Sequence, residues 1–322
     1  MTTPPEPNDD MVPVLGTLPP AALAAKLRAM GETATAAAIE QALADGGAES
    51  AVRGGDQFNL LPPGFSVGPF RGPIPAYGHT AHAFGYLPPV PAHHVPPPIE
   101  HAGNIKPDLT LRNARIKITL DLLRVADYPG AGMHQILFDF YGQNQVPGPP
   151  EDVHFNLTCR VQEGEQAAIL GYPIFVGLNV GNEGVAFRCS IVNVKNEDDE
   201  KLIGFLDSDI FKAGLSLAAT AQPALKPLSS MVVGLANWVA TGHQNAKVQE
   251  FQLGLDFSTI ATRAKLAEGS YIVVQIPESS QIRWNWDDWV YRPSTGQIVA
   301  KADLTTLIPY NYLIFGVSRY TE

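Results

Sequence analysis

Eighteen of the chain's 28 prolines fall in its first 107 residues, one third of a 322-residue sequence. Proline fixes φ and lacks the N–H that helix interiors and central strands require. A stretch this rich in proline is not mostly helix or sheet, so the chain divides near residue 107. The 215 residues behind that point (108–322) suffice for one large domain or two small ones.

Charge removes several function classes. There are 22 Lys and Arg against 32 Asp and Glu, a formal net charge of −10. Neither side of residue 107 has a basic excess: 5 basic and 9 acidic in front, 17 and 23 behind. Displacing counterions from nucleic acid needs clustered Lys and Arg, so no nucleic-acid partner is expected. The same sign opposes docking on anionic lipid by charge alone. Cys159 and Cys189 are too few for a disulfide scaffold or a four-cysteine zinc site. The start, MTTPPEPNDDMVPV, lacks the apolar core of a secretory signal. No run reaches the roughly 18–20 apolar residues that span a bilayer. The expected setting is cytoplasmic.

Residues 1–16 read as a disordered leader and 17–47 as a small helical hairpin. Thr17 is placed to cap a helix opened by Pro19 and Pro20, with Leu23, Leu27 and Met30 on one face. Ile39 and Leu43 continue a second helix before Gly46-Gly47. These apolar stripes are too thin for a core of their own, so the hairpin is expected to dock. Residues 48–107 form a Pro/Gly/His-rich linker or docking strap with polyproline character. Phe65, Phe70, Tyr77, Phe84 and Tyr86 are spaced through it, which suits a segment that contacts a folded surface.

Period-two alternation begins near residue 110. Ile116 to Leu122, Ile136 to Phe140, Val153 to Val161, Ile174 to Val180 and Val185 to Ile191 alternate apolar with polar side chains. GNEG (181–184) reads as a hairpin turn between the last two. Residues 207–243 break the pattern as a two-helix insertion. In its second helix Leu228, Met231, Val232, Leu235, Trp238 and Val239 share a face. Strands resume at Phe251–Phe257, Tyr271–Ile276, Ile282–Tyr291 and Tyr310–Val317. The expected fold is mainly β: an antiparallel sandwich over 108–322 with a helical insertion.

Two segments resemble a C2-type domain, a β-sandwich family known for calcium and phospholipid binding. RIKITLDLLRVADYPGAGMHQILFDFYG has its strand, loop and departing strand. FRCSIVNVKNEDDEKLIGFLDSDIF (187–211) has its strand, acidic loop and apolar-apolar-Gly step. The resemblance implies a C2-like sandwich but not a calcium sensor. Asn193 and Lys195 stand where paired aspartates would be expected, and only Asp127 lies in the first loop. Glu197 to Glu200 read more simply as a solvated acidic turn.

The remaining constellations point to binding. Trp284, Trp286, Trp289 and Tyr291 lie within eight residues, beside Asp287 and Asp288. If extended, Trp284 and Trp286 share one face, and Trp289 and Tyr291 the other. Such a run can stack on sugar rings, anchor a protein partner, or pack in a core. His79, His82, His93, His94 and His101 sit in the strap, but a zinc cage needs four fixed ligands, and no metal site is expected. The 227–242 helix has no formally charged residue. At about 22 Å it is shorter than a ~30 Å bilayer core, so burial between the sandwich and another subunit is expected ahead of membrane insertion after a conformational change. HExxH, Walker A and GxGxxG are all absent, and neither catalysis nor a cofactor is expected.

The expectation is a non-enzymatic adaptor or structural subunit that contacts a protein partner or its own copies. Its site residues would be Trp284, Trp286, Asp287, Asp288, Trp289, Tyr291, Phe65, Phe70, Tyr77, Phe84 and Tyr86. The alternatives are a carbohydrate-binding sandwich using the Trp-rich strand, and a membrane-active effector using the uncharged helix to meet lipid.

Overall fold

Strands that alternate apolar and polar residues bury one face each, and two such faces close on one another. The computed structural model describes residues 12–44, 75–89, 97–167, 169–195, 239–242, 244–260, 262–281 and 283–321. In chain order these form helices α1 (Pro20–Ala29) and α2 (Thr33–Ala44), then thirteen strands. The strands are β1 (Ala81–Leu87), β2 (Glu100–His101), β3 (Arg115–Arg124), β4 (Met133–Asn144), β5 (Glu151–Gln162), β6 (Tyr172–Asn179) and β7 (Gly184–Val194). They continue as β8 (Ala246–Asp256), β9 (Ala264–Lys265), β10 (Gly269–Ile276), β11 (Trp289–Arg292), β12 (Gln297–Ala300) and β13 (Tyr312–Arg319). Sheet A runs β2-β1-β10-β13-β3-β6 and sheet B runs β5-β4-β7-β8-β9, with β11 and β12 as a separate hairpin. The protein is mainly β, with a sandwich-like architecture.

The main core lies between the sheets. Ile116, Ile118 and Leu120 of β3 and Phe315 of β13 meet Ile136, Phe138 and Phe140 of β4 and Phe187 of β7. Phe140 lies edge-on to Phe315 at 5.9 Å across the layers. Cys189 is buried here and Cys159 is half-buried; the two form no disulfide, and burial pushes the Cys189 pKa up. Among the described residues no helix is long and apolar enough to cross a membrane.

The helical hairpin closes one end of this core. Leu15, Leu23, Ala24, Leu27, Met30 and Ala36 join the same cluster. Lys26 Nζ donates to the Gly242 carbonyl at 2.8 Å, and Gly130 N–H donates to Glu32 Oε1 at 2.8 Å. Gly130 has φ +86° and lies so close to the hairpin that a Cβ would stand 2.9 Å from the Met30 carbonyl oxygen. Leu15, within the expected leader, is fully buried. Thr17 does not cap α1: its hydroxyl donates to the Val14 carbonyl, and Pro19 holds the N-cap position.

Three further expectations are corrected. The sandwich starts before residue 108, because β1 and β2 extend sheet A beside β10. GNEG is not a hairpin turn: β6 belongs to sheet A and β7 to sheet B, so residues 181–184 form an arch between layers. Residues 282–291 are not one strand; a 3-10 turn at Trp286–Asp288 precedes the short β11. The two-helix insertion, apart from its end at 239–242, lies outside the described residues, as do Glu197 to Glu200. Asn193 and Lys195 brace the β3–β4 loop, donating to the carbonyls of Pro129 (2.8 Å) and Gly130 (3.0 Å).

That loop makes stability depend on pH. Asp127 is largely buried, with Glu163 and Glu32 nearby, and its pKa is raised to about 6 by burial first and those charges second. In an unfolded chain an aspartate titrates near 3.9. The fold therefore prefers the protonated form, and this stabilisation is lost as pH rises from about 4 to about 6. Asp127→Asn should raise stability at pH 7 by about 1 kcal/mol after solvent screening. Urea denaturation at pH 4.5 and 7 checks this: the variant's advantage should appear only at the higher pH.

Candidate functional site

Sheets A and B are tied together along one edge. Ala102 N–H donates to the Phe84 carbonyl at 3.1 Å, Lys265 N–H to Ala102 at 2.9 Å, and Asp108 N–H to Leu266 at 2.8 Å. Beside this seam a half-open cleft of about 780 Å³ is lined by β1, the β2 turn, the ends of β4, β7 and β8, and the segment before β11. Aromatic and polar side chains both line it.

The aromatic wall comes from a fold-back of the chain between β10 and β13. Asn285 Oδ1 accepts from Asp287 N–H at 3.1 Å and caps the 3-10 turn. Tyr291 N–H donates to Pro97, and Val290 bridges Pro98, which lays the segment over the outer face of sheet A. Trp286 (5% exposed) enters a second core with Ile272, Val274, Ile276, Ile298 and Ile314. Gly85 makes room for it, since a Cβ there would stand 2.9 Å from the indole. Trp284 is half-buried at the centre of the cluster. It meets Trp286 edge-on at 5.4 Å and stacks on Trp289 at 6.0 Å and 9°.

The 3-10 turn thus overturns the expected facing of the run. Trp284 and Trp289 share a side, Trp286 is core, Tyr291 is half-buried, and Asp287 and Asp288 are exposed to solvent. Of the six Trp-run residues only Trp284 lines the cleft. From the strap, Phe84 joins it there. Tyr77 and Tyr86 do not face a partner: both are buried, and Tyr86 OH donates to the Glu268 carbonyl at 2.5 Å. Phe65, Phe70, His93 and His94 lie outside the described residues.

The polar lining was not read from sequence. His82 packs between Phe84 and Phe251, 5.5 Å from the latter, and burial lowers its pKa to about 4, so it is neutral near pH 7. His101 Nδ1 accepts from Gly103 N–H at 2.9 Å. Burial raises the pKa of Asp256, but hydrogen bonds from Ser258 and Arg263, with nearby Lys265, outweigh it, and the carboxyl titrates below its usual range. Gln143, Gln145, Gln281 and Glu183 complete the rim. Ala186 and Gly254 are direct cross-strand partners, both exposed, so part of the cleft floor is almost bare backbone. Small residues at solvent parity on two neighbouring strands were the available signal.

His79 is buried 3.9 Å from Glu278, and His154 lies 3.6 Å from Asp139, while Asp152 accepts from Tyr141 OH. Among the described residues no group of three or more His, Cys, Asp or Glu is placed to hold a metal ion. No protein-family model matches the chain, and no curated protein or solved structure is similar to it.

Proposed function

We propose that this is a non-catalytic binding protein, built on a C2-like sandwich, whose ligand occupies the cleft at the β2–β9 seam. The observation that carries the reading is that Phe84 and Trp284 both line that cleft, with amides, neutral imidazoles and a bare floor. Convergent polar groups around an aromatic wall are what ligand pockets need for orientation and affinity. The burial of Tyr77 and Tyr86 moves the proposal from the strap to the cleft. The cytoplasmic setting and a protein partner or second copy as ligand belong to the same proposal.

Gly254→Phe tests it. No atom lies within 4 Å of a Cβ added at Gly254, so the ring enters open space rather than the core. The full-length protein and this variant are presented to a glycan array and to a displayed random-peptide library. At least one probe held by the parent should bind the variant at least tenfold more weakly, at unchanged melting temperature. Equal binding of every retained probe would remove the cleft from the function.

A further inference from the structure

The outer side of sheet B is buried, yet the described helices and longer strands pack elsewhere. Leu137 pairs with Val192, and Val192 with Lys247, so the three point to one side. Ile136 and Ile191, of opposite parity, face the main core. Leu137 and Val192 are 0% exposed, and neither belongs to either core. The next outer row, Asn156, Asp139 and Ser190, is also largely withdrawn from solvent. Sheet A lies on the inner side, the helical hairpin joins the main core, and β11 and β12 pack over sheet A. This burial exists within one chain, so neither a second copy nor lipid supplies it.

Position selects the occupant. Residues 196–238 leave after β7 and return before β8. Asn245 holds both ends together: its Oδ1 accepts from Lys195 N–H at 2.9 Å, and its Nδ2 donates to the Val239 carbonyl at 2.8 Å. Exposure grows with distance from that point. Val194 and Ser190 are buried, while Ala186 and Gly254 at the far end are open. The buried rows run about 13 Å along β7 and about 14 Å across four strands. A helix over 227–238 would be about 18 Å long. Chemistry agrees. Leu228, Met231, Val232, Leu235 and Trp238 share a face at helical spacing, and 227–242 carries no formal charge. On the sheet, Glu250 already lies 3.1 Å from Arg188 and 3.4 Å from Lys247, so an uncharged stripe suits that face.

We infer that residues 227–238 dock their apolar stripe on the outer face of this chain's own sheet B, rather than on a second copy or in a bilayer. Benzoylphenylalanine is placed in the full-length protein at Ser190, beneath the proposed contact, and separately at Gln135, half-buried at its rim. The Gln135 variant keeps the test decisive if the Ser190 variant does not fold. After irradiation the products are digested and sequenced by mass spectrometry. At least one position should join residues 227–238 of the same chain. At micromolar protein the intrachain product should exceed the interchain product by at least about tenfold, because a tethered segment acts at an effective concentration near millimolar. Neutral and anionic phospholipid vesicles should leave that product unchanged.

A predominant product of double mass would assign the face to a second copy and overturn the inference. Joining to residues 45–74 would assign it to the strap, and loss of the product on vesicles would assign the segment to lipid; each overturns it too. So does the absence of any product from the folded variants.

Discussion

Trp286→Ala should destabilise the fold by about 3–5 kcal/mol, the range for truncating a buried large aromatic. Trp286 is 5% exposed and covers the outer face of sheet A with Ile272, Ile276 and Ile298. Its ring rests against Gly85 and leaves no slack for collapse from that side. Against a typical total of about 5–15 kcal/mol, this loss leaves a marginal protein. Trp289→Ala, at a half-exposed position, should cost less than half as much. Guanidinium denaturation of both variants is the measurement. Equal losses would mean that the Trp run does not divide into a core ring and a surface ring.

Gly184→Ala carries the second large effect. Gly184 sits at the arch between β6 and β7 with φ +119°, a conformation L-residues rarely adopt. An added Cβ would overlap the Leu255 carbonyl oxygen and stand 2.9 Å from Asp256 Cα, both backbone atoms of the neighbouring β8. Backbone cannot rotate aside as a side chain can, so strain and overlap add. A loss above about 3 kcal/mol is expected. Gly132→Ala is the control: φ is +96°, but nothing lies within 4 Å of its Cβ. It should cost only about 1–2 kcal/mol, the conformational part alone. Similar melting temperatures for the two variants would show that crowding against β8 has no part.

The arch also shows where sequence reading stopped. Alternation at Ile174 to Val180 and Val185 to Ile191 correctly marks two strands. It records which side of each strand is apolar, and both layers of a sandwich share one core. A hairpin within one sheet and an arch between sheets therefore leave the same pattern. The Trp run failed differently. Period-two facing requires an extended chain, but Asn285 accepts from Asp287 N–H and turns it. An Asn that bonds the backbone two residues on is a turn signal that aromatic content masks.

The strap hid a strand for a third reason. In Ala81–Leu87 one side faces the second core through Ala83 and Leu87, while Phe84 and Tyr86 on the other side pack against the main core. A strand buried on both faces has no polar phase, so alternation cannot reveal it. The prolines that follow it, Pro88 and Pro89, made the whole stretch look like linker. Tyr77 and Tyr86 are among the spaced aromatics of that stretch, and they serve the chain's own fold.

By itself, then, the sequence determined the class of the fold, most of the long strands from Arg115 onward and the docking hairpin. These rest on local periodicity and composition, which residues near in sequence carry. Only the tertiary structure decided which strands pair, that Trp286 is core while Trp284 borders a cleft, and that His82 packs between Phe84 and Phe251. Those outcomes join residues about 200 positions apart, such as Gly85 and Trp286. No local pattern encodes them, because they arise from closing two sheets along one edge.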